Sequence, residues 1–294
     1  MRHRLSLRLL AAGIVTLLLS PHAARSQEGE ADAFRYPLSV ATAADGSLYV
    51  ADRMLPGVWK ITDGKPVVFA RGEKQFRTPL NAIRAVAVAA DGSVFVGDSA
   101  TREVYRLSDD GTPTPLTGGS IGIPVDIAID TAGQLYVSDL ETQRIWKLPA
   151  AGGQPEEVVQ LAAPRGLFVD SSDTLWAIAA SGEAPLVKVA ADGSVEPVVA
   201  TRAFEFPHDV VVADDGTAFV SDNYARCLWK VSPEGEVTKL ASGEPLVGPV
   251  GLARSTAGGL LVADPRAKSI FLADAAGTLT VVVSAADEAG EQAP

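Results

Sequence analysis

One aspartate keeps returning. Asp52, Asp98, Asp139, Asp222 and Asp264 each close a short apolar run, and Ala179 takes the same place in a sixth, degenerate copy. The residue six further on is aliphatic in all five aspartate copies (Val58, Val104, Ile145, Leu228, Ile270). The next is aromatic (Trp59, Tyr105, Trp146, Trp229, Phe271), and a basic residue follows in four of them (Lys60, Arg106, Lys147, Lys230). Before each aspartate lie two apolar runs of strand length, separated by a turn such as Asp215-Gly216, which is a hairpin signal. A repeat of about 40–45 residues built only from short strands predicts a blade of a β-propeller. Six copies predict an all-β, six-bladed β-propeller of four-stranded antiparallel blades over residues 36–284, in one domain.

The same residues carry a resemblance. The pattern Pro-x-[Gly/Asp] leading into an apolar strand, then [Asp/Ala]-Gly, an aromatic-Val pair, Asp, and finally aliphatic-aromatic-basic, resembles the NHL repeat. It runs through six copies from Tyr36–Ile61 to Gly248–Leu272. The chain also resembles the gluconolactonase-like propeller superfamily in fold. The resemblance implies a propeller and little about chemistry, because propellers of this kind include lyases, lactonase-like hydrolases, RNA-binding modules and protein-binding sensors.

The ends read differently. Residues 1–26 have the pattern of a secretory signal peptide: Arg2, Arg4 and Arg8, an apolar core Leu9–Leu19, and small residues at Ala24-Arg25-Ser26. The apolar core is too short for a span of about 20 residues. Export to the periplasm or the exterior is therefore expected, with no membrane attachment after cleavage. Residues 27–35 read as a flexible lead, with Phe34 placed to dock on the first blade, and residues 285–294 as a disordered tail. The signal segment holds four of the 25 basic residues and none of the 36 acidic ones. The remainder carries 21 against 36, a net charge of −15. That balance argues against nucleic acid and anionic membrane as partners. A monomer is expected. Cys227 is the only cysteine, so no internal disulfide or thiolate cluster can form, and its place beside Leu228-Trp229 predicts a buried thiol.

A carboxylate repeated in every blade is expected to cap the turn after its strand, not to react. The informative positions are those that break the repeat. Fourteen residues before each repeated position stand Leu38, Arg84, Val125, Arg165, His208 and Val250. Immediately after them come Ser39, Ala85, Asp126, Gly166, Asp209 and Gly251. These twelve are predicted to ring the upper mouth of the central channel. Arg84, Arg165 and His208 would then form an anion-binding mouth, because guanidinium groups recognise carboxylates and phosphates through paired hydrogen bonds. Asp126 and Asp209 are expected to orient them, and Asn223, Tyr224 and Arg226 to form a rim. Further arginines (Arg53, Arg102, Arg144, Arg266) fall in the same set of loops. The alternative for each is pairing with a nearby acid such as Glu141.

His208 is the only histidine outside the signal segment. Zinc sites and histidine-rich lyase sites of the kind this resemblance includes therefore cannot be carried over. A Ser-His-Asp arrangement could be built only at His208, and regular strand alternation would point Asp209 away from it. No catalytic residue, cofactor or metal is expected. The expected function is an exported binding or interaction module for an anionic small molecule or protein segment. The alternative is a hydrolase or lactonase with a divalent cation, Ca2+, at Asp126 and Asp209.

Overall fold

The computed structural model describes residues 34–285, and every regular element among them is a β-strand. The expectations for residues 1–33 and 286–294 lie outside the described residues. Twenty-four strands form six four-stranded antiparallel sheets, each made of four consecutive strands. The innermost strands are Pro37–Thr42, Ile83–Val88, Pro124–Ile129, Pro164–Val169, Pro207–Val212 and Gly251–Arg254, in blades 1 to 6. Each packs beside the next, and the last returns to the first, so the sheets form a closed ring around a channel. Because each blade is complete in itself, the ring closes by packing between blades 6 and 1 and not by a shared strand.

The strands exist because their residues alternate between two packed faces. The second strands of blades 1, 2, 4 and 6 are buried throughout: Leu48–Asp52, Val94–Asp98, Leu175–Ala179 and Leu260–Asp264. Six apolar clusters lie mainly between neighbouring blades. The one joining blade 6 to blade 1 contains Val50, Trp59, Leu261 and Ile270. Phe34 completes it, 1% exposed and with its ring 5.0 Å from that of Trp59. Burial of a phenylalanine side chain stabilises by about 2 kcal/mol, so the approach to blade 1 is anchored.

The repeated aspartates are wholly buried turn caps. Asp139 accepts the backbone N–H groups of Gly122, Ile123, Glu141 and Thr142, the Thr142 hydroxyl at 2.6 Å and the Trp146 indole at 3.0 Å. Asp52 and Asp222 hold the same pattern, down to the indole of Trp59 at 3.4 Å and of Trp229 at 3.2 Å. The tryptophan seven residues on is thus a hydrogen-bond partner of its own blade's aspartate as well as a packing group. Blade 4 lacks the cap. With Ala179 in the aspartate's place the carboxylate is missing, while the backbone bond from Ala180 N–H to Ala163 O is kept, as Leu140 N–H to Ile123 O is in blade 3. Trp176, on the second strand of this blade, donates to Asp170 at 2.9 Å.

Candidate functional site

The start of the inner strand is irregular in blades 1 to 5, and the irregularity shapes the site. In blade 1, Pro37 pairs with Asp52 and Ser39 with Ala51, leaving Leu38 as an extra residue. The same shift falls at Arg84, Val125 and His208, and across Arg165-Gly166 in blade 4. A bulge breaks strand alternation and re-aims side chains. Asp209 keeps its place at the channel, and its hydrogen bonds run to Val210 and Leu252 and not to His208. It lines the channel together with Asp126.

A second pattern alternates around the ring. The thirteenth residue before each repeated position is polar in blades 1, 3 and 5 (Ser39, Asp126, Asp209) and small in blades 2, 4 and 6 (Ala85, Gly166, Gly251). Each polar side chain accepts a backbone N–H from the following blade. Ser39 Oγ takes that of Val86 at 3.2 Å, Asp126 Oδ2 that of Leu167 at 2.7 Å, and Asp209 Oδ2 that of Leu252 at 2.7 Å. The small residues allow the next polar one to approach. A Cβ on Gly166 would lie 2.4 Å from Asp209 Cα, and one on Gly251 would lie 2.9 Å from Ser39 Cα. Asp126 and Asp209 thus tie blade to blade, and their hydrogen bonds run to amides instead of orienting the arginines. Burial pushes the Asp126 carboxyl up to about 7 against the pull of two amides. Burial first, then the Asp126 charge, raises Asp209 well above the ordinary carboxylate range.

The upper mouth holds the cationic group. Arg84 and Arg165 each keep a buried Nε without a hydrogen-bond partner. Neither forms an ion pair among the described residues, whereas Arg102 pairs with Glu141 at 2.8 Å, Arg144 with Glu157 at 2.7 Å and Arg254 with Asp214 at 2.7 Å. Burial lowers the affinity of Arg84 for its proton, and the charges of Arg53 and Arg165 lower it further. Burial, then Arg165 and Arg84, drives His208 down to about 3, so its imidazole is neutral at physiological pH. These couplings bring Arg84, Arg165 and His208 into one electrostatic neighbourhood.

The rim divides. Arg165 lies over the Phe206 ring at 4.4 Å, and Phe206 stacks on Tyr224 at 4.6 Å with the planes 19° apart. Tyr224 is 60% exposed and ends a cation–aromatic–aromatic stack that fixes the Arg165 head. Asn223 uses its side-chain amide on Gly248 O at 3.2 Å. Arg226 is exposed in the left-handed conformation (φ 49°) at the turn position shared by Arg102, Gln143 and Lys268, and no described contact ties it to the trio. Arg102 therefore ties blade 2 to blade 3, Arg144 pairs within blade 3, and Arg226 serves a turn. Phe206 is the site residue that repeat-breaking alone does not find, because an apolar residue there looks like packing. Cys227 is buried, its Sγ donating to Leu228 O at 3.3 Å, and burial raises its thiol to about 11.

The calcium implied by the gluconolactonase-like resemblance does not fit these residues. Among the described residues no three His, Cys, Asp or Glu side chains gather to hold a metal. The two channel carboxylates already accept backbone amides.

Fold and repeat together define the class: a six-bladed β-propeller that carries an NHL repeat, the family model matching residues 122–148. Among curated proteins the chain is similar to peptidyl-glycine alpha-amidating monooxygenase A of Xenopus laevis, 29% identical over 129 residues. The match covers 39% of this chain and 14% of that protein. The chain spans no more than 14% of the length of the curated relatives it matches. Among solved structures it is similar to a gluconolactonase from Xanthomonas campestris (TM-score 0.67, 15% identity, 80% of this chain and 84% of that one). It is also similar to virginiamycin B lyase from Staphylococcus aureus (TM-score 0.65, 15% identity, 84% of each chain). At such identities the structural likeness establishes the fold alone.

Proposed function

We propose that this chain is an exported binding module whose upper channel mouth grips an anionic group between Arg84 and Arg165, with neutral His208 beside them. One observation carries the reading. Two neighbouring guanidinium groups are partly desolvated, hold unpartnered buried Nε donors and lack an ion pair among the described residues. Desolvating an arginine without a partner is costly, and two of them together add repulsion. An anion seated between them would relieve both. Export is read from residues 1–26 alone.

The test is thermal melting in phosphate and in acetate at constant ionic strength. A ligand at 100 times its Kd stabilises by about 2.7 kcal/mol, which corresponds to roughly 5–10 °C in Tm for a domain of this size. The shift should vanish in Arg84→Gln and in Arg165→Gln. Anion-independent melting of the unsubstituted protein would defeat the proposal. The hydrolase alternative has one supporting observation, the meeting of Asp126 and Asp209 in the channel. Calcium-dependent stabilisation that disappears in the Asp126→Asn, Asp209→Asn double variant would favour it.

A further inference from the structure

The step from blade 1 to blade 2 is the longest spacing in the repeat, 46 residues from Asp52 to Asp98. The added residues fold into an ordered loop over the top face. Gly72 N–H donates to Pro56 O at 2.9 Å, and the Thr78 hydroxyl reaches Glu73 O at 2.7 Å and Gln75 O at 2.8 Å. The Asn81 side-chain amide also donates to Gln75 O, and Leu80 is buried beneath. This loop walls a hollow of about 330 Å³ lined by Tyr36, Arg53, Met54, Lys74, Asn81 and Ala82. No carboxylate lines it, in a protein with a formal net charge of −11. Neither Arg53 nor Lys74 has an ion-pair partner among the described residues. The hollow adjoins the mouth along the chain, since Tyr36 is two residues before Leu38 and Ala82 two before Arg84. Arg53 and Tyr36 both act electrostatically on Arg84.

We propose that this hollow is a second anion subsite, so that the protein takes a small ligand with two anionic groups joined by a short apolar stretch. One group sits between Arg84 and Arg165 and the other beside Arg53 and Lys74. The stretch between them rests on Tyr36 and Met54. The proposal builds on the anion-binding mouth argued above. A second charge-assisted pairing is a gain that a monoanion cannot make. The Tyr36 ring and the Met54 side chain offer apolar surface to the linker, and the bonded loop means that little ordering is needed on binding.

Calorimetric titration with the straight-chain dicarboxylates from succinate to suberate, with butyrate as the monoanion, tests it. After a factor of two for its equivalent ends, the best-fitting diacid should bind about tenfold tighter than butyrate, the gain of one charge-assisted hydrogen bond. The preference should peak at one chain length. It should fall severalfold in Lys74→Gln and approach unity in the Arg53→Gln, Lys74→Gln double variant. Arg84→Gln should weaken monoacid and diacid alike. Butyrate binding with no diacid preference, or a preference that survives the double substitution, overturns the second subsite and leaves the mouth intact. Failure of every acid, butyrate included, overturns both.

Discussion

Replacing Asp126 with asparagine should reverse part of the protein's response to pH. The carboxyl is raised from 3.8 to about 7 because it lies inside the channel wall, where its charged form loses hydration that two amides do not restore. The fold therefore holds the Asp126 proton more tightly than the unfolded chain does. Its contribution is complete below the unfolded value near 4 and declines as pH climbs to about 7, where the native carboxyl ionises. About three pH units at 1.4 kcal/mol each give an upper bound near 4 kcal/mol lost between pH 4 and pH 7. Asparagine keeps the carbonyl oxygen that accepts the Leu167 amide and has no proton to lose. The variant should match the parent near pH 4 and surpass it above pH 7, by up to about 10 °C in Tm. The assay is melting of both proteins across pH 4–9, read as the difference between them, which cancels the many surface carboxylates. Two curves that run parallel across that range would refute the buried-carboxyl account.

Four further outcomes are expected. Gly166→Ala places a methyl group 2.4 Å from Asp209 Cα and Oδ1, so overpacking should cost about 1–3 kcal/mol or more; an unchanged Tm would show that the inner strands of blades 4 and 5 are not in tight register. Asp139→Ala strands buried amides at about 1–3 kcal/mol each and should destabilise by at least about 4 kcal/mol in urea denaturation; a loss below about 1 kcal/mol would remove the capping role. His208, neutral with its value lowered from 6.5 to about 3, must gain a proton on unfolding, so its contribution is present above about pH 6.5 and is lost as pH falls towards 3. His208→Gln should flatten that acid limb. Anion binding at the mouth should take up a fraction of a proton near pH 5, seen by calorimetry in buffers of different ionisation enthalpy; zero uptake would place the anion away from His208.

What could be read in the chain follows from how a repeat encodes structure. Asp139 and its equivalents were legible because each copy must solve the same turn, so the solution is written five times and the period gives the blade count. The Arg84, Arg165 and His208 positions were legible as departures from that period. The bulge was not, because it changes where a side chain points without changing its place in the register. The alternation of Ser39, Asp126 and Asp209 with Ala85, Gly166 and Gly251 was present in the sequence, but its meaning needs the distance between neighbouring inner strands, which no single blade specifies. The same holds for Arg102 and Arg144. As letters they equal Arg84, and only the reach of Glu141 and Glu157 across neighbouring chain segments, at 2.8 and 2.7 Å, separates a paired guanidinium from an unpaired one. In a ring of like blades, local parts are readable from one copy, whereas a site at the axis depends on contacts between copies.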